Sequence, residues 1–529
     1  SLIIQVRIFN VGSGDADTFV VTVQDTFQQQ GSIIGVDTIP ELGARKDTLL
    51  EFTWDTSPDT MYDIGTHKIA VWVDSDSTVD ESWEGNNTAF VTERIFFYPN
   101  EDGWPQKTGG AVRSSPALAD LFGDSKLEIV IGSDDHCLYA FPASGDLEDG
   151  WVDTTCAPVW ASPAVGDIQN DGTPEVIVAA DNSLYVWDTA GVLLTDWPIE
   201  LCDTTGIAYT VALADVDSDD TLDIVVPADS SVYILRYDAS SLSGWPVSVP
   251  GADNVEMSTP AVGDINGDDG LEIFVSAHRA GSGVIPWDTS YVYAWDDTGA
   301  ALTGWPPDKV VGSWNLSPAL ANLDDSGDWE IMTGLGDSMY VWDDSGSRVS
   351  PWPVDAPPTR VSSSPAVGDF DTLSSGYEII AGCSQDSDGK GYVYAWQNDG
   401  EVIGGGLTWP KWTVGGVGSS PALANIDSSA SSPNVDLEVF VGSDGGYVYA
   451  IKLNTYDVTH FPFPTGAAVT SSAAIADVDR DGNLELVVGC QDNYVLFWSI
   501  EGAECDTGAA PWPMFKHDRM RTAWFEYTP

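Results

Sequence analysis

An acidic turn followed at once by an apolar strand recurs along most of this 529-residue chain, and that recurrence limits the fold to stacked copies of one small unit. Aligned on the segment SSPALAD, equivalent positions are Pro116, Pro163, Val211, Pro260, Pro318, Pro365, Pro421 and Ala473, separated by 47, 48, 49, 58, 47, 56 and 52 residues. Each copy has the same grammar. A short strand such as ALAD or AVGD leads into the acidic turn, and a strand such as LEIVIGS (127–133) follows. A Gly/Asp turn, a strand such as YVYAWDD (291–297) and a last strand led by Trp-Pro complete the copy. Four strands per fifty residues with no helical stripe is the pattern of a β-propeller blade.

The cleanest turn is DVDRDGNLELVVGC, residues 477–490. Asp477, Asp479, Asp481 and Glu485 stand at relative positions 1, 3, 5 and 9 of a loop bent by Gly482. Oxygen ligands on alternate residues of a tight turn converge on one point, and a calcium ion takes six to eight oxygens at roughly 2.3–2.6 Å. A turn alone has no need of three carboxylates that repel one another. The competing reading is that Asp, Asn and Gly are simply good turn formers.

The other turns are graded. Asp215, Asp217, Asp219 and Asp223 match the calcium pattern well, as do Asp264, Asn266, Asp268 and Glu272. Asp167, Asp171 and Glu175 carry Gln169 where an acid is expected, and Asn322, Asp324, Ser326 and Glu330 hold less charge. Three copies read as plain turns. Asp120, Asp124 and Glu128 lose the middle ligand to Phe122; Asp369, Asp371 and Glu378 span an extra residue; Asn425 and Asp427 are interrupted by SSASSPN.

Over roughly residues 104–529 the repeat resembles the FG-GAP/VCBS family, which the integrin α-chain propeller also uses. The resemblance implies a propeller of about eight four-stranded blades. Trp-led outer segments nevertheless occur nine times, at Trp104, Trp151, Trp197, Trp245, Trp305, Trp352, Trp409, Phe461 (as FPFP) and Trp512. Either the Trp104 strand completes the last blade and closes the ring, or the Trp512 strand does, since an unclosed ring exposes an edge. The segment WPMFKHDRMRTAW resembles the closing tail of exported repeat propellers and is expected to complete a blade, with anion binding by Lys516, His517, Arg519 and Arg521 as the alternative.

Residues 1–98 alternate apolar and polar residues, and Ile3 to Ile8, Phe19 to Val23, Leu49 to Trp54, His67 to Val73 and Ala89 to Phe96 read as strands of an antiparallel sandwich. At FNVGSGDA (9–16), EFTWDT (51–56) and VDESWEGNNT (79–88) this segment resembles the bacterial cell-adhesion-related domain (CARDB), an immunoglobulin-like module. The family begins with one more strand than is present here. Either that strand lies upstream in the same polypeptide, or the resemblance implies an edge open to strand addition from another chain. Residues 99–103 read as a linker.

With 82 acidic against 20 basic residues the net charge is −62, which excludes a nucleic-acid partner. No apolar run reaches the roughly 20 residues of a membrane helix, so no direct membrane insertion is expected. Six cysteines form no CxxC pair, and Cys137 and Cys156 are expected at neighbouring strand ends, within reach of a disulfide. The third-strand tryptophans Trp187, Trp295, Trp342, Trp396 and Trp498 read as core, with sugar stacking as the alternative. No nucleophile or phosphate-loop motif is present. The expected protein is all-β, extracellular or at the cell surface, and calcium-stabilised. It works in adhesion or as a subunit of a surface filament or sheath, with other surface proteins, copies of itself or glycans as partners. The alternatives are a polysaccharide lyase or hydrolase and a glycan-binding propeller.

Overall fold

The computed structural model describes residues 2–10, 16, 18–25, 32–54, 65–73, 88–95, 103–147, 150–201, 210–249, 255–279, 289–306, 310–311, 316–324, 327–370, 376–403, 409–426, 437–452, 458, 461–504, 513–518, 520–522 and 524–525. Cys202, Cys505, Ser326, Asp371, Asp427, Trp512, Arg519 and most of the 79–88 motif lie outside these. Every regular element among the described residues is a β-strand, and the chain divides into two compact units, 1–98 and 99–529.

The first unit holds β1 (Leu2–Phe9), β2 (Phe19–Asp25), β3 (Ser32–Ile39), β4 (Asp47–Trp54), β5 (Gly65–Val73) and β6 (Thr88–Ile95). One sheet runs β3-β2-β5-β6, and the other pairs β1 with β4. Phe19, Val21 and Val23, every second residue of β2, are buried with Ile8, Phe52 and Ile69, as the two-residue period of a strand requires. Strand β3 has no counterpart in the sequence reading. Its Ile33 and Val36 face solvent, which erases the alternation. Its Gly35 lies where a Cβ would come within 2.4 Å of the Phe52 ring, so the strand carries a glycine for close approach.

In the second unit each repeat folds into a sheet of four antiparallel strands in chain order, a β-propeller arrangement. The first repeat supplies Ala117–Ala119, Glu128–Gly132, Cys137–Phe141 and Trp151–Thr154. Among the described residues the unit has eight sheets, six of four strands and two of five, with Val255–Met257 added to the fourth and Trp524–Phe525 to the fifth. Their innermost strands touch in cyclic order, and Ala474–Ala476 of the last lies against Ala117–Ala119 of the first. The fourth strand of the last sheet comes from the beginning of the unit: Gln106 and Lys107 pair with Val495 and Tyr494. Of the two closures open to the sequence, the structure uses the Trp104 segment.

Two sets of hydrogen bonds join neighbouring sheets. On the outside, six leading tryptophans donate the indole N–H to a carbonyl of the next repeat: Trp104 to Ala143, Trp151 to Thr189, Trp197 to Tyr237, Trp245 to Asp297, Trp305 to Asp344 and Trp352 to Asn398. On the inside, a backbone N–H donates to a hydroxyl one repeat on. Ser472 donates to Ser115 Oγ, Ser115 to Ser162 Oγ, Ser162 to Thr210 Oγ1, Ser317 to Ser364 Oγ and Ser420 to Ser472 Oγ, at 2.8–3.1 Å. The five third-strand tryptophans are buried between sheets, as core.

Two expectations are corrected. Cys137 and Cys156 are free thiols: Cys137 faces Thr154 across the sheet, and Cys156 has passed on to the next repeat, where its N–H donates to the Tyr185 hydroxyl. The tail completes no outer strand among the described residues. It crosses the inner strands, accepting N–H groups from Ile475 at Pro513, Leu213 at Met520 and Val262 at Thr522, and Trp524–Phe525 pairs in parallel with Ala319–Ala321. Arg521 is fully buried and donates to the carbonyls of Pro163, Phe515, Ser115 and Pro116; Lys516 donates to Pro318 O. The carbonyls of Ser115, Pro116, Pro163 and Pro318 stand just before inner strands, and a buried carbonyl needs a donor. The basic residues of the tail are those donors.

Candidate metal centres

The acidic turns owe their shape to two residues in the left-handed region. The fourth and sixth turn residues have positive φ in five copies, for example 64° at Arg480 and 95° at Gly482, and 57° at Ser218 and 68° at Asp220. This coils the loop so that its first, third and last acids approach one another. No neighbouring atom stands near Gly482, so its glycine serves φ alone.

One acid is common to all eight repeats. Glu128, Glu175, Asp223, Glu272, Glu330, Glu378 and Glu438 open the second strand and Glu485 is the third residue of its own; all are buried, and each accepts a backbone N–H from the turn that precedes it. Val478 donates to Glu485 at 2.7 Å and Ile426 to Glu438 at 2.9 Å, the latter across the interrupted turn of the seventh repeat. This residue latches turn to strand whatever the rest of the loop contains. Burial pushes Glu128, Asp223, Glu272 and Glu330 up to about 7 and Glu485 to about 8, against the partial relief of those N–H donors.

The repeats differ in what meets the remaining charge. In the second, Gln169 donates its amide to Glu175 at 3.0 Å; in the fourth, Asn266 donates to Glu272 at 2.8 Å while its own oxygen accepts Asp268 N–H. In the seventh, Lys452 stands 3.6 Å from Glu438. The first acid is also occupied in several copies. Asp120, Asp167 and Asp264 each accept two N–H groups of their own turn.

The third and eighth repeats gather three acids. Carboxylate oxygens of Asp215, Asp217 and Asp223 lie within 4.8 Å of one another, as do those of Asp477, Asp479 and Glu485. Each cluster contains a buried oxygen with no hydrogen-bond partner, Asp223 Oδ1 and Asp477 Oδ1. Asp477 is buried, whereas Asp215 still caps the N–H groups of Asp219 and Asp220. Arg236 pairs with Asp217, which leaves the third cluster partly neutralised. Arg480 points away from the eighth, donating to Ser125 O of the first repeat.

Not every residue expected at a metal joins these clusters. Asp481 accepts the backbone and side-chain N–H groups of Asn483, and Asp219 and Asp171 hold Thr221 and Thr173 in the same way. The fifth-position acid thus caps the entry to the strand. Asp268 likewise accepts Gly270 N–H. Asn322 has a buried Oδ1 without a partner, beside Glu330 and Asp324 of the fifth turn, where Leu323 N–H meets Glu330 at 2.8 Å.

Residues 1–91 match the CARDB family model, and residues 167–226, which span the second and third acidic turns, match that of the FG-GAP-like repeat. The chain thus carries a CARDB domain and an FG-GAP-like repeat. These modules belong to adhesion-type and repeat families rather than catalytic ones, and both are typical of extracellular or surface proteins. No helix among the described residues is long and apolar enough to cross a membrane. No curated protein matches the chain. Among solved structures it is similar to the V. cholerae biofilm matrix protein Bap1, at 13% identity over 95% of this chain and 89% of that one, with a TM-score of 0.36. It is also similar to the quinohemoprotein alcohol dehydrogenase from Comamonas testosteroni (12%, covering 76% and 77%, TM-score 0.45). A third is the Chaetomium thermophilum Sqt1 bound to the N-terminus of ribosomal protein L10 (12%, covering 76% and 100%, TM-score 0.46).

Proposed function

We propose that this protein is a calcium-stabilised structural subunit of the cell surface, built as a closed eight-bladed propeller displayed by its sandwich domain. The observation that carries the calcium reading is the pair of buried, partnerless oxygens, Asp477 Oδ1 and Asp223 Oδ1, inside three-acid clusters. A buried carboxylate oxygen without a donor is costly; in other repeats an amide or a lysine meets the strand acid that corresponds to Asp223, and turn N–H groups meet the first acid that corresponds to Asp477. A hard divalent cation satisfies that oxygen and the charge together. Asp477, Asp479 and Glu485 would hold one ion and Asp215, Asp217 and Asp223 a second, weaker one beside Arg236. Such ions tie turn to strand and so serve stability.

Assembly enters through the sandwich. Among the described residues β1 pairs with β4 alone, and a strand with one unpaired edge is a template for strand addition. Head-to-tail repetition of that contact without closure gives a filament. Thermal melting with excess calcium and with excess chelator tests the first part: a ligand that binds only the folded state raises the melting temperature. Sedimentation of the full chain against a chain lacking residues 1–98 tests the second. Self-association that survives the deletion rejects the sandwich as the assembling unit.

A further inference from the structure

The inner ring of hydroxyls surrounds a cavity of about 240 Å³ on the propeller axis. Among the described residues its wall is polar and uncharged: serines and threonines from successive repeats, with Ala161, Leu316, Trp160 and the tail residue Phe515 as the apolar parts. Phe515 forms one boundary and is held there, since its carbonyl accepts Arg521 at 2.6 Å and its ring lies under the guanidinium. Trp160 is 56% exposed, and its indole N–H donates to Asp134 at 2.8 Å, which fixes the ring plane while leaving a face open.

The hydroxyls before the inner strands are of two kinds. Ser114 and Ser419 donate to the carbonyl and accept the N–H of the glycine opposite, Gly132 and Gly442, so their capacity is used within the sheet. The next residue behaves otherwise. Ser115, Ser162, Thr210, Ser364 and Ser472 each accept one backbone N–H, and among the described residues none donates its own proton to a protein acceptor. All five are at least nine-tenths buried and line the cavity. A ring of O–H donors therefore faces one small space.

We infer that this cavity is a binding site for a neutral sugar, the terminal residue of a glycan, with its oxygens on the hydroxyl ring and one face against Trp160. An acceptor-rich ligand is required by the donors, and its charge is set by the surroundings. Among the described residues no cationic side chain lines the cavity to hold an anion in a chain of net charge −62, and no carboxylate lines it to hold a cation. The buried Arg521 and Lys516 are directed at backbone carbonyls of the inner strands. Uncharged polyols with an apolar face remain, and an exposed indole beside hydroxyls suits them. The volume lies below the roughly 300–1,000 Å³ of pockets for drug-sized ligands, so one ring enters and the rest of a glycan continues outward past Trp160.

Saturation-transfer NMR on the full chain tests this, with glucose, galactose, mannose and N-acetylglucosamine as separate probes and glucuronate and inorganic phosphate as charged controls. At least one neutral sugar is expected to bind. Its affinity should fall roughly tenfold in Trp160→Ala, the worth of one aromatic face, and fall also in Ser364→Ala, which removes one of the five O–H donors from the ring. Melting temperatures of both variants serve as the control for folding. Loss of affinity in either folded variant places the sugar in the cavity. Binding by none of the neutral sugars, binding by the charged controls alone, or binding unchanged in both variants overturns the inference.

Discussion

The indole N–H of Trp104 donates to the carbonyl of Ala143 at 2.8 Å, joining the sheet of the last repeat to that of the first. Trp104 reaches that position because Gln106 and Lys107 form the outermost strand beside Tyr494–Glu504. Its ring stacks on Phe497 and meets Phe141 edge-on, so one side chain packs against both ends of the ring. Trp104→Phe is expected to cost about 1 kcal/mol, the net worth of one hydrogen bond. Trp104→Ala should cost about 3–5 kcal/mol. Denaturant unfolding of both variants measures the difference: an undamaged Trp104→Phe would mean that the hydrogen bond contributes nothing to closure, and equal losses that the ring packing contributes nothing.

The buried latch acids predict a second contrast, in the first repeat, where the sequence offers a poor metal site. Glu128 accepts Leu121 N–H at 2.7 Å and Phe122 N–H at 3.1 Å. Glu128→Ala strands both donors and should destabilise by about 2–3 kcal/mol. Glu128→Gln keeps an acceptor oxygen without a buried charge and should be near neutral at pH 8. Chemical denaturation at that pH distinguishes the two, and a Gln variant as damaged as the Ala variant would show that the charge itself is needed.

A pH dependence follows from the same acids. Burial raises Glu128, Asp223, Glu272 and Glu330 to about 7 and Glu485 to about 8, above ordinary values of 4.5 for Glu and 3.8 for Asp. Between the ordinary and raised values the folded chain binds more protons than the unfolded one, so stability falls as pH rises. Their contribution is full below about pH 4 and is lost as pH passes through 7 to 8. In chelator the melting temperature should therefore decline between pH 5 and pH 8. Saturating calcium should flatten the decline, because a cation favours the ionised acid. A melting temperature that rises over this range in chelator would contradict the burial of these groups as charges.

Arg521 predicts that the tail is integral to the ring. It donates to four carbonyls from residues 115, 116, 163 and 515. Arg521→Met should destabilise by several kcal/mol, since the carbonyls lose their donors and no longer hold the tail. Limited proteolysis should then release the C-terminal segment. A variant with unchanged melting and unchanged protection would show that the tail rests on the ring without fastening it.

Much of this was legible in the sequence because it repeats. Eight copies of an acid at the start of an apolar strand expose the sheet order, and the Trp-Pro segments expose the outer strands. What the acids do individually was less legible. Asp481 and Asp477 look alike in sequence, yet one caps Asn483 at the surface and the other is buried without a donor, a difference created by the loop's coiling. Gln169 looked like a degraded ligand and is instead a donor to Glu175. The tail was misread because Lys516, Arg521 and their carbonyl partners belong to distant repeats, and a basic cluster in an acidic chain suggests the surface. The hydroxyl before each aligned Pro116-like position was a signal in plain view, Ser115, Ser162 and Thr210 among them. Without the ring, a serine there reads as a turn residue.

Calcium binding by the full chain, followed by equilibrium dialysis against labelled calcium, tests the central claim most directly when wild type is set beside Asp477→Asn and Asp223→Asn. Asn keeps the size of each side chain and removes the charge of the buried carboxylate. The account predicts two classes of site, with Asp477→Asn abolishing the tighter and Asp223→Asn the weaker. Identical isotherms for all three proteins, or no calcium bound by any of them, would contradict it.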